Sequence, residues 1–260
     1  MKIKKNMDND YLLNIDNIDN YLDDDIDDPK FKEGIHPLLI PPNSRIICVG
    51  SSGTGKSNWL CNALIKPQLK YEKIWMLSKN LFQPKYVFLK KELNNTEFIL
   101  NKGARAKKRE PYKIIEQWSD DINDLISLDE LKKFKQYLNL VIIDDMPILS
   151  KQQQDTVGKF FCMCRHFNCT IIYLQQLYFQ LPRSVRNNLS HIILFNNMNK
   201  MEQTMLAAQL GGNLEKGVFT KLYNKILSKK YQWFLIDNTT DDINLQYRQG
   251  YTKLLCDIDI

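Results

Sequence analysis

Eight consecutive residues, Gly50-Ser51-Ser52-Gly53-Thr54-Gly55-Lys56-Ser57, satisfy the pattern G-x-x-x-x-G-K-[ST] in full. Each required type has a task on a polyphosphate. Glycines let the main chain turn with positive φ and approach the phosphates closely. Successive N–H groups from Gly53 to Ser57 would point inward and bind oxygens at a helix N-terminus. Lys56 would reach the β- and γ-phosphates, and the Ser57 hydroxyl would ligate Mg²⁺. A short β-branched run stands before the loop and a helical segment after it, which is the context the motif needs.

A nucleoside triphosphatase also needs a carboxylate near the metal, expected on a neighbouring strand. Leu140, Val141, Ile142 and Ile143 form an apolar strand that runs into Asp144 and Asp145. Side chains diverge at a strand end, so the two acids can divide the work. Asp144 would support Mg²⁺ and Asp145 would act as general base on the attacking water. By themselves the acids could equally close a strand and open a turn before Pro147. A third apolar run, 170–174, ends at Gln175 and Gln176. Gln175 there could orient water near the γ-phosphate. Arg165 precedes that run, and Arg183 and Arg186 follow it; the chain has only seven Arg against 29 Lys. Each of the three is a candidate arginine finger, with Arg165 first. Each could instead pair with a surface carboxylate or contact DNA.

These residues require a scaffold that brings strand ends together. Apolar runs at 46–49, 73–77, 140–143, 170–174 and 192–195 predict strands. Helical patterns at 58–65, 125–138, 152–167, 201–210 and 214–227 alternate with them. Residues 98–100 are a possible further strand, and 232–236 with 245–255 a terminal hairpin. The alternation predicts an α/β fold with a mostly parallel sheet, helices on both faces and ligands at the strands' carboxyl ends.

The chain has 260 residues, 43% hydrophobic and 25% charged, which excludes wholesale disorder. No apolar run approaches the length of a membrane span, and the N-terminus lacks the apolar stretch of a secretory signal. The six cysteines lie mostly in core-like runs, as reduced thiols of an intracellular protein do. Cys162, Cys164, His166 and Cys169 resemble a metal cluster only superficially, because Cys-x-Cys on a helix points its thiols to different faces. The net charge of +6 is uneven: residues 1–29 carry nine Asp and three Lys. That segment reads as an acidic, disordered tail, and 30–260 as one ATPase domain. A basic body suits a polyanionic partner, although a Lys-rich surface alone would look the same.

Together, GSSGTGKS, LVIIDD and the stretch RHFNCTIIYLQQLYFQLPRSVRNNLSHIILF resemble the FtsK–HerA family of DNA-pumping ATPases. They are most similar to the genome-packaging ATPases of large DNA viruses and virophages, the poxvirus-type branch. The resemblance spans about residues 44–212. It implies a RecA-like ASCE core, ATP with Mg²⁺, a homo-oligomeric ring of five or six subunits, and translocation of double-stranded DNA into a capsid. It also implies a capsid or portal-vertex partner and action inside the host, in the cytoplasm, a viral factory or the virion. By position Lys56 and Ser57 match the phosphate-loop pair, Asp144 the Mg²⁺ acid, Gln175 the polar residue ending the fourth strand, and Arg165 the arginine before it. Most relatives place Glu where this chain has Asp145. A motor also needs a surface for DNA in its pore. Lys102, Arg105, Lys107, Lys108, Arg109 and Lys113, with Glu110 as the one acid among them, form the densest basic stretch. It could equally be a solvated loop. The acidic tail would occupy the basic pore or dock on the capsid. Three other classes also fit the loop: a helicase-loader-like ATPase, a nucleotide kinase, and a nucleotide-gated assembly scaffold.

Overall fold

Strands buried on both faces must be apolar at every position, and five segments of this chain meet that demand. The computed structural model describes residues 36–66, 68–103, 113–146, 149–196, 200–212, 214–215 and 217–258. The acidic segment 1–29 lies outside the described residues. In chain order the strands are β1 (Arg45–Val49), β2 (Lys73–Ser78), β3 (Ile115–Ser119), β4 (Asn139–Asp144), β5 (Cys169–Gln175), β6 (His191–Phe195), β7 (Trp233–Asp237) and β8 (Tyr247–Gln249). The longer helices are α1 (Lys56–Ile65), α2 (Pro84–Gly103), α3 (Lys151–Met163), α4 (Lys200–Leu210) and α5 (Val218–Ile226). The strands form one sheet in the order β3-β2-β4-β5-β1-β6-β7-β8. The first six are parallel, and β7 and β8 add antiparallel.

The two-residue period of a strand sorts its side chains to two cores. Ile47 and Val49 of β1, Val141 and Ile143 of β4, and Ile171 and Tyr173 of β5 face the core closed by α3, α4 and α5. Ile46, Cys48, Leu140, Ile142, Ile172 and Leu174 face the other, closed by α1 and α2.

Several expected elements change once packing is included. The possible strand at 98–100 lies within α2. Pro84 opens that helix, and Tyr86, Leu89 and Leu93 bury one face at helical spacing. The expected helix at 125–138 shrinks to Leu128–Leu131 and a 3₁₀ turn, Lys132–Phe134. Ser127 and Glu130 cap its start, and the Asn139 amide takes the carbonyls of Phe134 at 2.9 Å and Tyr137 at 3.1 Å, turning the chain into β4. The helix at 152–167 becomes α3 and a 3₁₀ turn, Cys164–Phe167, closed by Asn168 in the left-handed region. Of 245–255 only Tyr247–Gln249 is strand, because Asp242 caps a helical turn before it and Gly250 takes φ +65° after it. The expected hairpin nonetheless pairs, with Leu235 opposite Arg248. β3 has no apolar run to announce it. It is an edge strand of sequence IEQWS, tied by a 2.8 Å pair between Lys73 and Glu116.

At the sheet's far end from the phosphate loop, buried Arg248 donates to Leu38 O at 2.7 Å, to Tyr251 O at 3.3 Å and to Asp237 Oδ2 at 3.1 Å. His191 Nε2 stands 3.4 Å from Asp237 Oδ1. Burial opposes ionisation of Asp237, but His191 and the Thr239 hydrogen bonds outweigh it and hold the carboxyl below the usual range. A lowered carboxyl stabilises the fold above its unfolded value near pH 4, and that share is lost as pH falls further. Arg248→Met should cost about 2–4 kcal/mol in urea unfolding, because it removes the buried donor shared by the carbonyls of Leu38 and Tyr251 and by Asp237 Oδ2. A cost below about 1 kcal/mol would show that this network is not a staple.

Candidate functional site

The carboxyl ends of β1, β4 and β5 meet at one edge of the sheet, and the polar residues found there build the site. The structure refines one expectation. β4 is not the immediate neighbour of β1, because β5 is inserted between them. Val49 pairs with Gln175, and Leu174 pairs with Asp144, so the phosphate loop, Gln175 and Asp144 end at nearly the same level.

The loop leaves β1 through Gly50, whose N–H donates to Gln175 O at 3.2 Å. A Cβ on Gly50 would lie 2.6 Å from Phe195 Cβ, so β6 packing requires glycine there. Gly53 and Gly55 take φ of +77° and +125°, which turns the chain into α1. Ser51 O accepts from the Thr54 hydroxyl at 2.8 Å, while Ser52 and Gly53 are exposed. The Lys56 ammonium lies over the loop and donates to Gly50 O at 2.6 Å and Ser51 O at 2.9 Å. Burial lowers its pKa, and the charges of Asp144 and Asp145 counter the shift.

Asp144 is 3% exposed, and its Oδ2 accepts from the Tyr86 hydroxyl. Burial, with the Asp145 charge beside it, raises its pKa to about 6; the Tyr86 bond and the charges of Lys56 and Lys85 restrain the rise. Asp145 has φ +47°, a backbone region Asp tolerates better than most residues. Two amides clamp its carboxylate. Asn80 Nδ2 donates to Oδ2 at 3.1 Å and Gln176 Nε2 to Oδ1 at 3.3 Å.

Some expected residues stand elsewhere. Gln175 donates to Gln180 Oε1 at 3.1 Å, so Gln176 and not Gln175 touches Asp145. Arg165 is exposed on the turn before β5, at the opposite sheet edge; seven strand residues separate it from its own phosphate loop by about 23 Å. Arg183 is exposed, whereas Arg186 donates to Gln209 Oε1 at 2.9 Å and stacks on Phe179 at 5.3 Å. Lys102 falls in the last turn of α2, and Arg105, Lys107, Lys108 and Arg109 lie outside the described residues. Lys113 is described and pairs with Glu116 Oε2 at 3.5 Å. Asn80 and Tyr86 were missed in the sequence. Asn80 follows a predicted strand on the side where ligands bind, so position alone could have flagged it. No sequence signal marks Tyr86.

Ser57 and Asp144 offer the hard oxygen donors that Mg²⁺ prefers, and Asp144 is held by the phenol of Tyr86. The pair therefore fits a divalent cation held jointly with phosphate oxygens.

A phosphate loop between strand and helix, an acid two strands away and an inserted strand between them define a P-loop nucleoside triphosphatase fold. The chain belongs to the Poxvirus A32 protein family, whose model matches residues 36–242. Among solved structures it is similar to B204, the DNA-packaging ATPase from Sulfolobus Turreted Icosahedral Virus, at 15% identity and TM-score 0.50, over 75% of this chain and 93% of that one. The genome packaging NTPase B204 from Sulfolobus turreted icosahedral virus 2, in complex with AMPPCP, matches at 15% identity and TM-score 0.45, over 75% and 92%. No curated protein matches the chain.

Proposed function

We propose that this protein is the ATPase that drives viral double-stranded DNA into a capsid. The observation that carries it is the convergence of Lys56, Ser57, Asp144 and Asp145 at one sheet edge, in a chain of the Poxvirus A32 family. ATP lies with its phosphates on the N–H groups of Gly53 to Ser57, and Lys56 exchanges its loop carbonyls for the β- and γ-phosphates. Ser57 and Asp144 would hold Mg²⁺, which would supply charge neutralisation on the phosphates. Asp145, aimed by Asn80 and Gln176, takes a proton from water as its oxygen bonds to the γ-phosphorus. The bond to the β-phosphate oxygen breaks, giving ADP and phosphate. Gln175 supports the loop through its carbonyl.

Arg165 is too far from its own phosphate loop to act there, so it serves a neighbouring subunit in a ring of five or six copies; Arg183 is a second candidate and Arg186 a weaker one, being engaged already. Lys102, Arg105, Lys107, Lys108 and Arg109 contact DNA phosphates. No described helix is long and apolar enough to cross a membrane. The motor works within the infected cell, in cytoplasm or viral factory, against a capsid or portal-vertex protein.

The test is phosphate release with and without duplex DNA at two salt concentrations. Duplex should stimulate turnover several-fold, and salt should erase the stimulation, because phosphate contacts are salt-sensitive. Alanine at the five basic positions should remove the stimulation and spare the basal rate. Turnover indifferent to DNA at every salt concentration would overturn the motor reading.

A further inference from the structure

Tyr86 is a fully buried tyrosine in the first turn of α2, placed where α1, α2 and the end of β4 meet. Its ring packs edge-on against Trp118 at 6.4 Å, with an interplanar angle of 90°. Its hydroxyl donates to Asp144 Oδ2. Asp144 is one of the two side chains assigned above to the metal; the other, Ser57, stands in the first turn of α1.

We propose that Tyr86 is a positioning residue of the metal site, holding Asp144 in the orientation that receives a divalent cation. With the phenol donating to Oδ2 of Asp144, its hydrogen is committed away from the cation. The phenol engages Oδ2 of Asp144 and leaves Oδ1 for the cation. The carboxylate is thereby oriented before the cation arrives, the way outer-shell partners tune metal sites. A phenylalanine would keep the ring against Trp118 and delete the connection. The inference rests on the nucleotide reading of this site.

The experiment measures Mn²⁺ uptake by paramagnetic resonance in the full chain, at saturating ATPγS, with ATPγS affinity in EDTA measured separately. Tyr86→Phe should weaken Mn²⁺ binding about 10- to 100-fold and change ATPγS affinity in EDTA less than about twofold. Trp118→Phe perturbs the same packing but spares the hydroxyl, and should leave Mn²⁺ affinity within about twofold. Should Tyr86→Phe not fold, Tyr86→Met provides a second side chain without the hydroxyl. Wild-type Mn²⁺ affinity in the folded hydroxyl-free variant overturns the proposal, as does an equal loss in Trp118→Phe. A wild-type chain that binds ATPγS but no Mn²⁺ overturns the metal assignment, and one that binds neither overturns the nucleotide reading itself.

Discussion

Asp145→Asn should stop hydrolysis while leaving nucleotide bound. The expected fall in kcat is about 10²- to 10⁴-fold, the usual worth of a positioned general base. Affinity for ATPγS should change less than about threefold, because Asp145 is aimed by Asn80 and Gln176 and not by the phosphate loop. Asn suits φ +47° about as well as Asp, so the turn survives. The amides of Asn80 and Gln176 both donate to the carboxylate, and one of them must rotate when an oxygen becomes an NH₂. Asn80 and Gln176 are exposed, so that rotation is cheap. Single-turnover phosphate release reads the chemical step, and equilibrium ATPγS binding reads the rest. Retention of more than a tenth of the wild-type rate would remove Asp145 as the base. Asp145→Glu keeps a carboxylate but places a longer side chain in a left-handed backbone, so partial activity is expected.

Lys56→Ala should have the larger effect on binding. The ammonium makes two short bonds to carbonyls of its own loop, and on binding it would trade them for phosphate oxygens. Hydrogen bonds to charged groups are worth about 1.5–3 kcal/mol each, so losing two of them predicts ATP affinity weaker by about 100-fold or more. Turnover should fall below detection. Stability should change by under about 1 kcal/mol, because burial already disfavours this charge and Ala suits the first turn of α1. Isothermal titration with ATPγS, beside a melting curve without nucleotide, separates the two. Unaltered affinity would mean that the loop does not grip a triphosphate, and the functional reading would fail at its base. Lys56→Arg is not expected to rescue, since a planar fork does not replace a point charge in a tight turn.

How far such residues can be found in a sequence depends on the range of the forces that place them. Gly50 to Ser57 was legible because its chemistry is local: the positive φ of Gly53 and Gly55, the N–H cradle and Lys56 all lie within eight residues. Asp144 was legible because a strand buried on both faces reads as an unbroken apolar run with a charge at its end. The alternation of such runs with helical patterns was enough for a mostly parallel α/β sheet. It did not reveal that β5 lies between β1 and β4, because strand order is decided by packing between segments about a hundred residues apart. Nor could it reveal β3, whose edge position lets it be half polar. Gln175 and Gln176 are equivalent in sequence; the strand's pleat sends one to Gln180 and the other to Asp145. Asn80 and Tyr86 reach the two acids across 65 and 58 residues of chain. No local pattern encodes a contact of that span, so only the folded chain shows which side chains aim the base and hold the metal's carboxylate.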